Sequence, residues 1–439
     1  MESADLTKFV SWFRSSTPYI NAFRNKTFVI YCGGEVISDK QFPALVHDLV
    51  LLHSLGIKLV LVHGARPQIE KLLKQENAAI NYVNDIRVTN SKALSCVVQA
   101  SSRIRVEIEA LLSTGLANTP TQGAKLRVIS GNFINAQPVG IREGIDYQHT
   151  GEVRKVHVDE ISSQLTHNNL VLLSPLGYSS TGEIFNIQAE DLACDVARQL
   201  KADKLIYLID NKGVTDSRNR LIREITVTQA HELLSSKHKM DRTTLHCLKN
   251  AIQACEDGVN RCHLLDRHID GNVLIELFSR DGCGSLLSAS EFENLRAATI
   301  GDIGGIVELL QPLEEQGIVV KRSRDYLETV IEHFRVMERD GMITACAALF
   351  PYIENGMAEV ACLAVQEDYQ TSGRGQAMLS ALEKSAIQLG IQQLFVLSTR
   401  TTQWFAERGF KLSKLEKLPV KKRSLYNYKR NSKIYIKTL

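Results

Sequence analysis

The chain has 439 residues, which at ~150 residues per domain is enough for two or three domains, each with its own core. Apolar residues make up 44% and charged residues 23%, an ordinary globular composition that excludes a disordered chain, a collagen-like repeat or a low-complexity array. Lys+Arg at 52 against Asp+Glu at 49 leaves a net charge of +3, too even a balance for a chain-wide nucleic-acid surface.

The nine cysteines, Cys32, Cys96, Cys194, Cys247, Cys255, Cys262, Cys283, Cys346 and Cys362, are odd in number and scattered, and none stands in a CxxC. That pattern disfavours a disulfide framework or a zinc ribbon and suits a reducing compartment. Residues 1–16 hold no continuous apolar run of the kind a secretory signal needs. The apolar stretch 44–62 is interrupted by His47, Asp48, His53 and Lys58. Neither a signal nor a membrane span is expected, and the chain reads as cytoplasmic.

In chain order, residues 1–24 read as a helical lead-in carrying Trp12 and Phe13. A β-rich run over 27–32 then ends in Gly33-Gly34, 58–62 ends in His63-Gly64, 169–173 runs into Ser174-Pro175-Leu176-Gly177, and 204–210 ends in Asn211-Lys212-Gly213. These short, nearly continuous apolar runs alternate with helical stretches such as 41–55 and 189–200. The pattern predicts a parallel sheet covered by helices on both faces. A glycine after a strand either permits a tight turn or lets backbone N–H groups reach an anion.

Four segments carry a resemblance: Tyr31-Cys32-Gly33-Gly34, Val62-His63-Gly64-Ala65-Arg66-Pro67-Gln68, Asn186-Ile187-Gln188-Ala189-Glu190 and Asp210-Asn211-Lys212-Gly213-Val214. With these, residues from about 26 to 285 resemble the amino acid kinase family, acetylglutamate kinases in particular. Working members carry a lysine before the Gly-Gly turn, where this chain has Tyr31. Glu190 stands where the family has an aspartate, and Asp241-Arg242-Thr243-Thr244 replaces the glycine-rich approach to a second lysine. Phosphoryl transfer depends on positioned positive charge, so the resemblance implies a kinase fold without kinase activity. Arg66 reads as an anion clamp or, equally, as a turn or subunit-contact residue.

The stretch Glu276-Leu277-Phe278-Ser279-Arg280-Asp281-Gly282-Cys283-Gly284-Ser285, preceded by His263, resembles the arginine-binding signature of arginine-inhibited acetylglutamate kinases. It implies an allosteric arginine site made by Tyr19, His263, Glu276, Gly282 and Gly284. Glu276 would pair with a guanidinium or an α-ammonium, the 282–284 loop would present backbone groups, and the N-terminal helix with Tyr19 would close over the ligand. Cys283 and Ser285 depart mildly from that signature.

From Leu295 the order changes to a strand, helices and antiparallel strands. Asp302 reads as the cap of a helix over 303–310. Strands are expected over 330–338, 342–350 and 357–366, separated by the turn signals Asp340-Gly341 and Glu354-Asn355-Gly356. Gln370-Thr371-Ser372-Gly373-Arg374-Gly375 follows the strand ending near Val365 and precedes a helix over 376–389. It resembles the Q/R-x-x-G-x-G/A pyrophosphate loop of the GNAT N-acetyltransferases. Glycines keep Cβ atoms clear so that successive N–H groups cup a diphosphate at a helix N-terminus. The run Trp404-Phe405-Ala406-Glu407-Arg408-Gly409-Phe410 resembles the aromatic stretch near the end of that fold. The resemblance assigns Gln370, Gly373, Arg374 and Gly375, with the backbone of Leu363, Ala364 and Val365, to acetyl-CoA. The basic run Lys421-Lys422-Arg423 reads as a solvated loop or an anionic small-molecule contact.

A kinase-like domain joined to a GNAT domain over nearly the whole chain resembles the bacterial N-acetylglutamate synthase family of amino-acid N-acetyltransferases. The match rests on 357–365, 394–400 and 425–433 as well. The implied fold is α/β: an amino acid kinase-like parallel-sheet sandwich (25–286) after a helical segment (1–24), then a C-terminal GNAT mixed-sheet domain (294–439). The implied reaction moves acetyl from acetyl-CoA to the α-amino group of L-glutamate, the first step of arginine biosynthesis, with L-arginine inhibiting at the kinase-like domain. Glu359 resembles the general base and Ser398 the acid for the leaving thiolate. Arg322 and Arg430 resemble the carboxylate clamps, with Cys362 a substrate contact. A homohexamer is implied, with no metal, nucleic acid or membrane partner; His231, His238 and His246 read as solvated. Three rivals remain open: a kinase acting on acetylglutamate, an acetyltransferase for another amine, and a non-catalytic arginine sensor.

Overall fold

The computed structural model describes residues 3–114, 122–124, 126–235, 240–279, 282–289, 294–339, 342–367, 370 and 373–439. The chain divides into two compact units, Met1–Glu291 and Phe292–Leu439.

The first unit is built on an eight-stranded sheet. Its spatial order is Glu224–Thr226, Ser285–Ser288, Arg261–Asp266, Lys204–Ile209, Thr27–Cys32, Lys58–His63, Asn169–Leu173 and Arg127–Ile129. Every neighbouring pair is parallel except Arg261–Asp266 with Ser285–Ser288. The central strands Thr27–Cys32 and Lys204–Ile209 are buried nearly end to end, which is why they read as continuous apolar runs rather than alternating ones. A second element, a closed four-strand barrel made by Ile134–Pro138, Thr150–Val156, Leu176–Tyr178 and Ile184–Ile187, was not foreseen. Its strands are short and broken by polar residues, so no single one carries a clear period.

The glycine turns lie at the carboxyl end of this sheet. A Cβ on Gly64 would come within 3.0 Å of the Gly34 nitrogen and 3.1 Å of the Gly33 Cα, and one on Gly34 within 2.4 Å of the Gln68 Oε1. These glycines are required by turn packed on turn, without recourse to a phosphate.

The second unit is a seven-stranded sheet in the order Asn294–Ala297, Phe334–Arg339, Met342–Tyr352, Met357–Val365, Gln393–Ser398, Lys433–Thr438 and Lys411–Ser413. Residues 330–333, expected as strand, close a helical turn instead. Asp302 stands at the N-cap position of the following helix as expected, but its side chain makes no cap bond there: the carboxylate accepts the Thr299 N–H and hydroxyl in a capping box of the short turn Ile300–Asp302 while pairing with Arg296. The helix that follows spans Ile303–Glu315, and the helix after the glycine loop spans Arg374–Gln388. The turn residues Asp340 and Gly341 lie outside the described residues.

Strand alternation sorts the core of this sheet into two faces. Ala345, Ala347 and Leu349 pack with Met378, Leu379 and Leu382 of the Arg374–Gln388 helix, while Cys346 and Ala348 pack with Ile303, Ile306 and Leu310. On Met357–Val365 the parity changes midway. Ala358 and Val360 belong to the first face, Cys362 and Ala364 to the second. The cause is one extra residue: Ala348 pairs with Ala361 but Cys346 with Ala364, and Cys362 sits at φ +51°. A bulge of this kind bends its strand and re-aims the residues beyond it.

Candidate functional site

The bulge lies beside an opening in the sheet. Met357–Val365 pairs with the parallel strand Gln393–Ser398 only through Glu359 opposite Phe395. Beyond that point the two strands continue without pairing, so the backbone of 360–365 lines a gap on that side. Cys362, Leu363, Ala364 and Val365 are on this segment. The Cys362 thiol points into the core, and burial pushes it up to about 11. A thiol held protonated in this way is a poor nucleophile, which leaves the backbone here as the chemically available part.

The glycine loop closes the far end of the same strand. Gln370 Nε2 donates to the Val365 carbonyl at 3.3 Å. Gly373 takes φ +80° and is the N-cap of the Arg374–Gln388 helix, so the loop runs straight into the positive end of a helix. A Cβ on Gly375 would lie 3.2 Å from the Trp404 ring, and Trp404 is itself held by Arg408 stacked 3.8 Å from its centroid. Thr371 and Ser372 fall outside the described residues.

Glu359 is 7% exposed on the edge of the gap, and its carboxylate is 2.7 Å from the Lys422 Nζ. The basic run was read as a solvated loop or a small-molecule contact, and Lys422 is the residue that reading missed. The only sequence signal was Leu418-Pro419 ahead of it, both buried, which turns the basic run inward. Arg322 and Arg430 form no ion pair among the described residues. Their guanidiniums donate instead to the carbonyls of Val320, at 3.2 Å, and of Ile318. Burial, and then the charge of Arg322, lowers Arg430 from its ordinary pKa. Glu314 accepts the Arg322 backbone N–H at 3.1 Å, so a carboxylate is close by, yet neither guanidinium makes an ion pair among the described residues, and each remains a fork suited to a carboxylate. Cys362 feels the charges of Arg322, Glu359, Glu314 and Lys422, so the predicted Cys362, Arg322 and Glu359 share one neighbourhood with Glu314 and Lys422, which the sequence reading did not single out. Ser398, at the end of its strand, accepts the Thr401 N–H at 3.1 Å and shares a 2.9 Å hydroxyl contact with Thr401. It forms the turn into the Thr402–Ala406 helix.

In the first unit the kinase-like cleft is open to solvent and is lined by the glycine turns, Arg66, Glu190, Asp210 and Arg267. Tyr31 donates its hydroxyl to Glu190 at 2.9 Å. Burial first, and then the Glu190 charge, raise it well above an ordinary phenol. It therefore stays neutral where phosphoryl transfer needs a cation. Asp241 accepts the Thr244 N–H at 3.0 Å and caps the Arg242–Glu256 helix, so a carboxylate occupies the positive helix end. His246, expected to be solvated, pairs with Asp191 at 2.6 Å; His231 pairs with Glu256 at the surface, and His238 is outside the described residues.

The residues of the expected arginine site are also drawn together. The N-terminal helix Ser3–Phe23 docks on Asn272–Phe278 through the Ser16 hydroxyl on the Phe278 carbonyl, at 3.2 Å, and an edge contact of Phe23 with Phe278. Tyr19, 7% exposed, stacks beside Phe23. Glu276 differs from the expectation. It is buried, with Oε1 2.8 Å from His263 Nδ1 and Oε2 accepting the N–H groups of Cys283 and Gly284 at 2.7 and 3.0 Å. Its carboxylate shapes the loop instead of standing open to a ligand. Gly282 at φ +59° has no room for a Cβ, which would lie 2.4 Å from Glu276 Oε2; a Cβ on Gly284 would strike the Leu264 carbonyl at 2.4 Å. Arg280 and Asp281 fall outside the described residues. Sequence reading missed Lys204, a buried lysine whose Nζ lies 4.8 Å from the Phe23 ring centroid and 3.4 Å from His263 Nε2.

Burial alone would raise Glu276, but the His263 and loop N–H groups outweigh it and hold the carboxyl at about 2. A carboxylate lowered on folding stabilises the protein above its unfolded value, about 4.3, and that contribution is lost as pH falls through the folded value. Between about pH 4.3 and 2 the melting temperature of the parent chain should therefore fall more steeply than that of Glu276→Gln. Parallel slopes in thermal melts would remove the carboxylate from this role.

Among the described residues no group of three or more His, Cys, Asp or Glu side chains could hold a metal ion, and no helix is long and apolar enough to cross a membrane. Comparison with known proteins follows the same division of the chain. Residues 26–266 match the amino acid kinase family and residues 331–412 the acetyltransferase (GNAT) domain. The chain is 48% identical over 431 residues to the amino-acid acetyltransferase of Ectopseudomonas mendocina (strain ymp), covering 98% of this chain and 99% of that one. It is 50% identical over 434 residues to that of Azotobacter vinelandii, with 98% and 99% covered. Its fold is similar to that of N-acetylglutamate synthase from Neisseria gonorrhoeae complexed with coenzyme A and L-arginine, with TM-score 0.89, 35% identity and 98% and 99% of the two chains covered. The same synthase complexed with coenzyme A and N-acetyl-glutamate is similar with TM-score 0.63, 36% identity and the same coverage.

Proposed function

The chain belongs to the amino-acid acetyltransferases, acyltransferases that use acetyl-CoA, and on that premise we propose that its acceptor is L-glutamate and that L-arginine inhibits it through the kinase-like unit. The observation that carries the acceptor is the pair Arg322 and Arg430, two guanidiniums that make no ion pair among the described residues and feel each other's charge. Glutamate brings two carboxylates and one amine, and its carboxylates would complete that pair. The ligand names of the similar synthase, coenzyme A with N-acetyl-glutamate or L-arginine, support the same reading.

In the proposed reaction the Glu359 carboxylate takes a proton from the α-ammonium, and the freed nitrogen attacks the thioester carbonyl carbon. Backbone N–H groups of the 362–365 bulge receive the carbonyl oxygen as negative charge develops there. The C–N bond forms and the C–S bond breaks; the Ser398 hydroxyl gives its proton to the leaving thiolate and is reprotonated, through water, by the second proton lost from the attacking nitrogen, while the proton on Glu359 passes to solvent. Cys362 contributes its amide and not its thiol. The diphosphate of the donor sits on the first turn of Arg374–Gln388, with Gln370, Gly373, Arg374 and Gly375 around it. The kinase-like unit is proposed to lack phosphoryl transfer, because Tyr31 and Asp241 replace positive charge by a neutral hydroxyl and a carboxylate. Tyr19, His263, Glu276, Gly282 and Gly284 are proposed as its arginine site, with Glu276 acting by holding the loop. The division 1–24, 25–286 and 294–439 is proposed as the functional one, with cytoplasmic action and a homohexameric assembly on the family resemblance.

Thiol release from acetyl-CoA, measured with glutamate and with and without arginine, tests both assignments. Glutamate-dependent release suppressed by arginine is the expected result. Release indifferent to arginine would make the kinase-like unit a scaffold, and no release with glutamate would return the acceptor to other amines. Gly375→Val must displace Trp404 or the loop, at about 1–3 kcal/mol of overpacking. It should raise the KM for acetyl-CoA with little change in that for glutamate; an unchanged KM for acetyl-CoA would place the diphosphate elsewhere.

A further inference from the structure

Glu359 has one ion-pair partner among the described residues, and it comes from far along the chain. Leu418 packs with Met357, Phe395 and Ile434, and Glu359 stands between these neighbours in the sheet, two residues after Met357 and opposite Phe395. Leu418 and Pro419 are buried, and the short helix Val420–Arg423 that follows carries Lys422 back over the strand to Glu359 Oε2 at 2.7 Å. The carboxylate is 9% exposed and the lysine 19%, so the pair is shielded from bulk water and salt. Tyr352, the nearest phenol, offers no countercharge: burial, and then the Glu359 charge, push it up to about 12. Lys421 and Arg423, on either side, make no ion pair with Glu359.

A general base works only when its lone pair is aimed at the proton it will take, and a carboxylate with free torsions loses rate through misalignment. From this geometry we propose that Lys422 is a positioning residue, fixing the Glu359 carboxylate at the mouth of the split between the two parallel strands while leaving the carboxylate's second oxygen for the substrate amine. The inference rests on the reading of Glu359 as the base. Lys422 does not touch the reacting atoms; it acts through Glu359. Its anchor is Leu418-Pro419, so the loop that carries it is held by the same cluster that holds the base.

The test is steady-state thiol release with Lys422→Met, Lys422→Arg, Glu359→Gln and the double variant. Lys422→Met should lower kcat by about tenfold to a hundredfold with both KM values within about twofold of the parent, and Lys422→Arg, which keeps a cation in reach, should recover most of that loss. In the Glu359→Gln background Lys422→Met should cost no further rate, because residues that act as a unit are not additive. A parent-like kcat in Lys422→Met, a raised glutamate KM with unchanged kcat, or a full additional loss in the double variant would each overturn the proposal. Should Lys422→Met fold poorly, Lys422→Gln takes its place with the same expected values. A parent-like kcat in Glu359→Gln would instead sink the base assignment itself, a result the Lys422 variants do not mimic.

Discussion

Glu359→Gln is expected to lower kcat for glutamate acetylation by about 10²- to 10⁴-fold, the usual worth of a positioned general base. The amide has the shape of the carboxylate and can still accept from Lys422, so the loop over 418–423 keeps its anchor. What it lacks is basicity. The α-ammonium of glutamate carries no lone pair, and attack on a thioester cannot begin until a proton leaves. Binding of both substrates should survive, with KM values within about threefold, because the change removes an interaction realised in the transition state. Thiol release under saturating substrates checks the rate, and thermal melting checks that the fold is intact. A kcat within about threefold of the parent would show that another group, or water alone, takes the proton.

Arg322→Ala is expected to raise the glutamate KM by about 10- to 100-fold, from the ~1.5–3 kcal/mol worth of a charge-assisted hydrogen bond. The KM for acetyl-CoA should not move. Stability gives a second, opposite reading. The Arg322 guanidinium makes no ion pair among the described residues, the Glu314 contact being to its backbone N–H, which alanine keeps, and its charge helps lower Arg430 from its ordinary pKa, so removing it relieves repulsion and the melting temperature should stay level or rise. A structural arginine would do the reverse. Arg322→Lys should recover part of the affinity, since a point charge replaces a two-pronged donor. Arg430 is a less clean probe, because its guanidinium also holds the Ile318 carbonyl. A glutamate KM unchanged in Arg322→Ala would separate this arginine from acceptor binding and favour another amine as the substrate.

Much of the fold was legible because burial writes itself into the sequence. Thr27–Cys32, Asn169–Leu173 and Ala189–Leu200 are found at the expected bounds, since strands and helices covered on their inner faces leave unambiguous apolar periods. The four-strand barrel was not legible, because its strands are short and of mixed polarity. Neither was the capping box at Thr299, which closes a short turn ahead of the helix and draws the Asp302 side chain back from the cap position it occupies.

The candidate site divides along the same line. Gln370, Gly373 and Gly375 stand out in the sequence because their spacing resembles a loop that would wrap a diphosphate, which needs glycine at fixed positions. Glu359 and Ser398 could be found only through the family pattern, since a strand glutamate and a strand-end serine have no local signature. Glu276 was found as a residue but not as a partner: its sequence neighbours show a carboxylate, while burial beside His263 and two loop N–H groups turns it inward.

The amino-acid sequence by itself determined which stretches would be buried, where backbone must approach backbone without a Cβ, and that a phenol, Tyr31, and not a cation precedes the Gly33-Gly34 turn. Those are local properties of side-chain size, polarity and charge. Tertiary structure alone decided that one extra residue at Cys362 flips the strand's parity, that Lys422 returns some sixty residues later to Glu359, and that Arg430 comes within reach of the Arg322 charge. Contacts between residues far apart in the chain depend on how whole elements pack, and no local period records that.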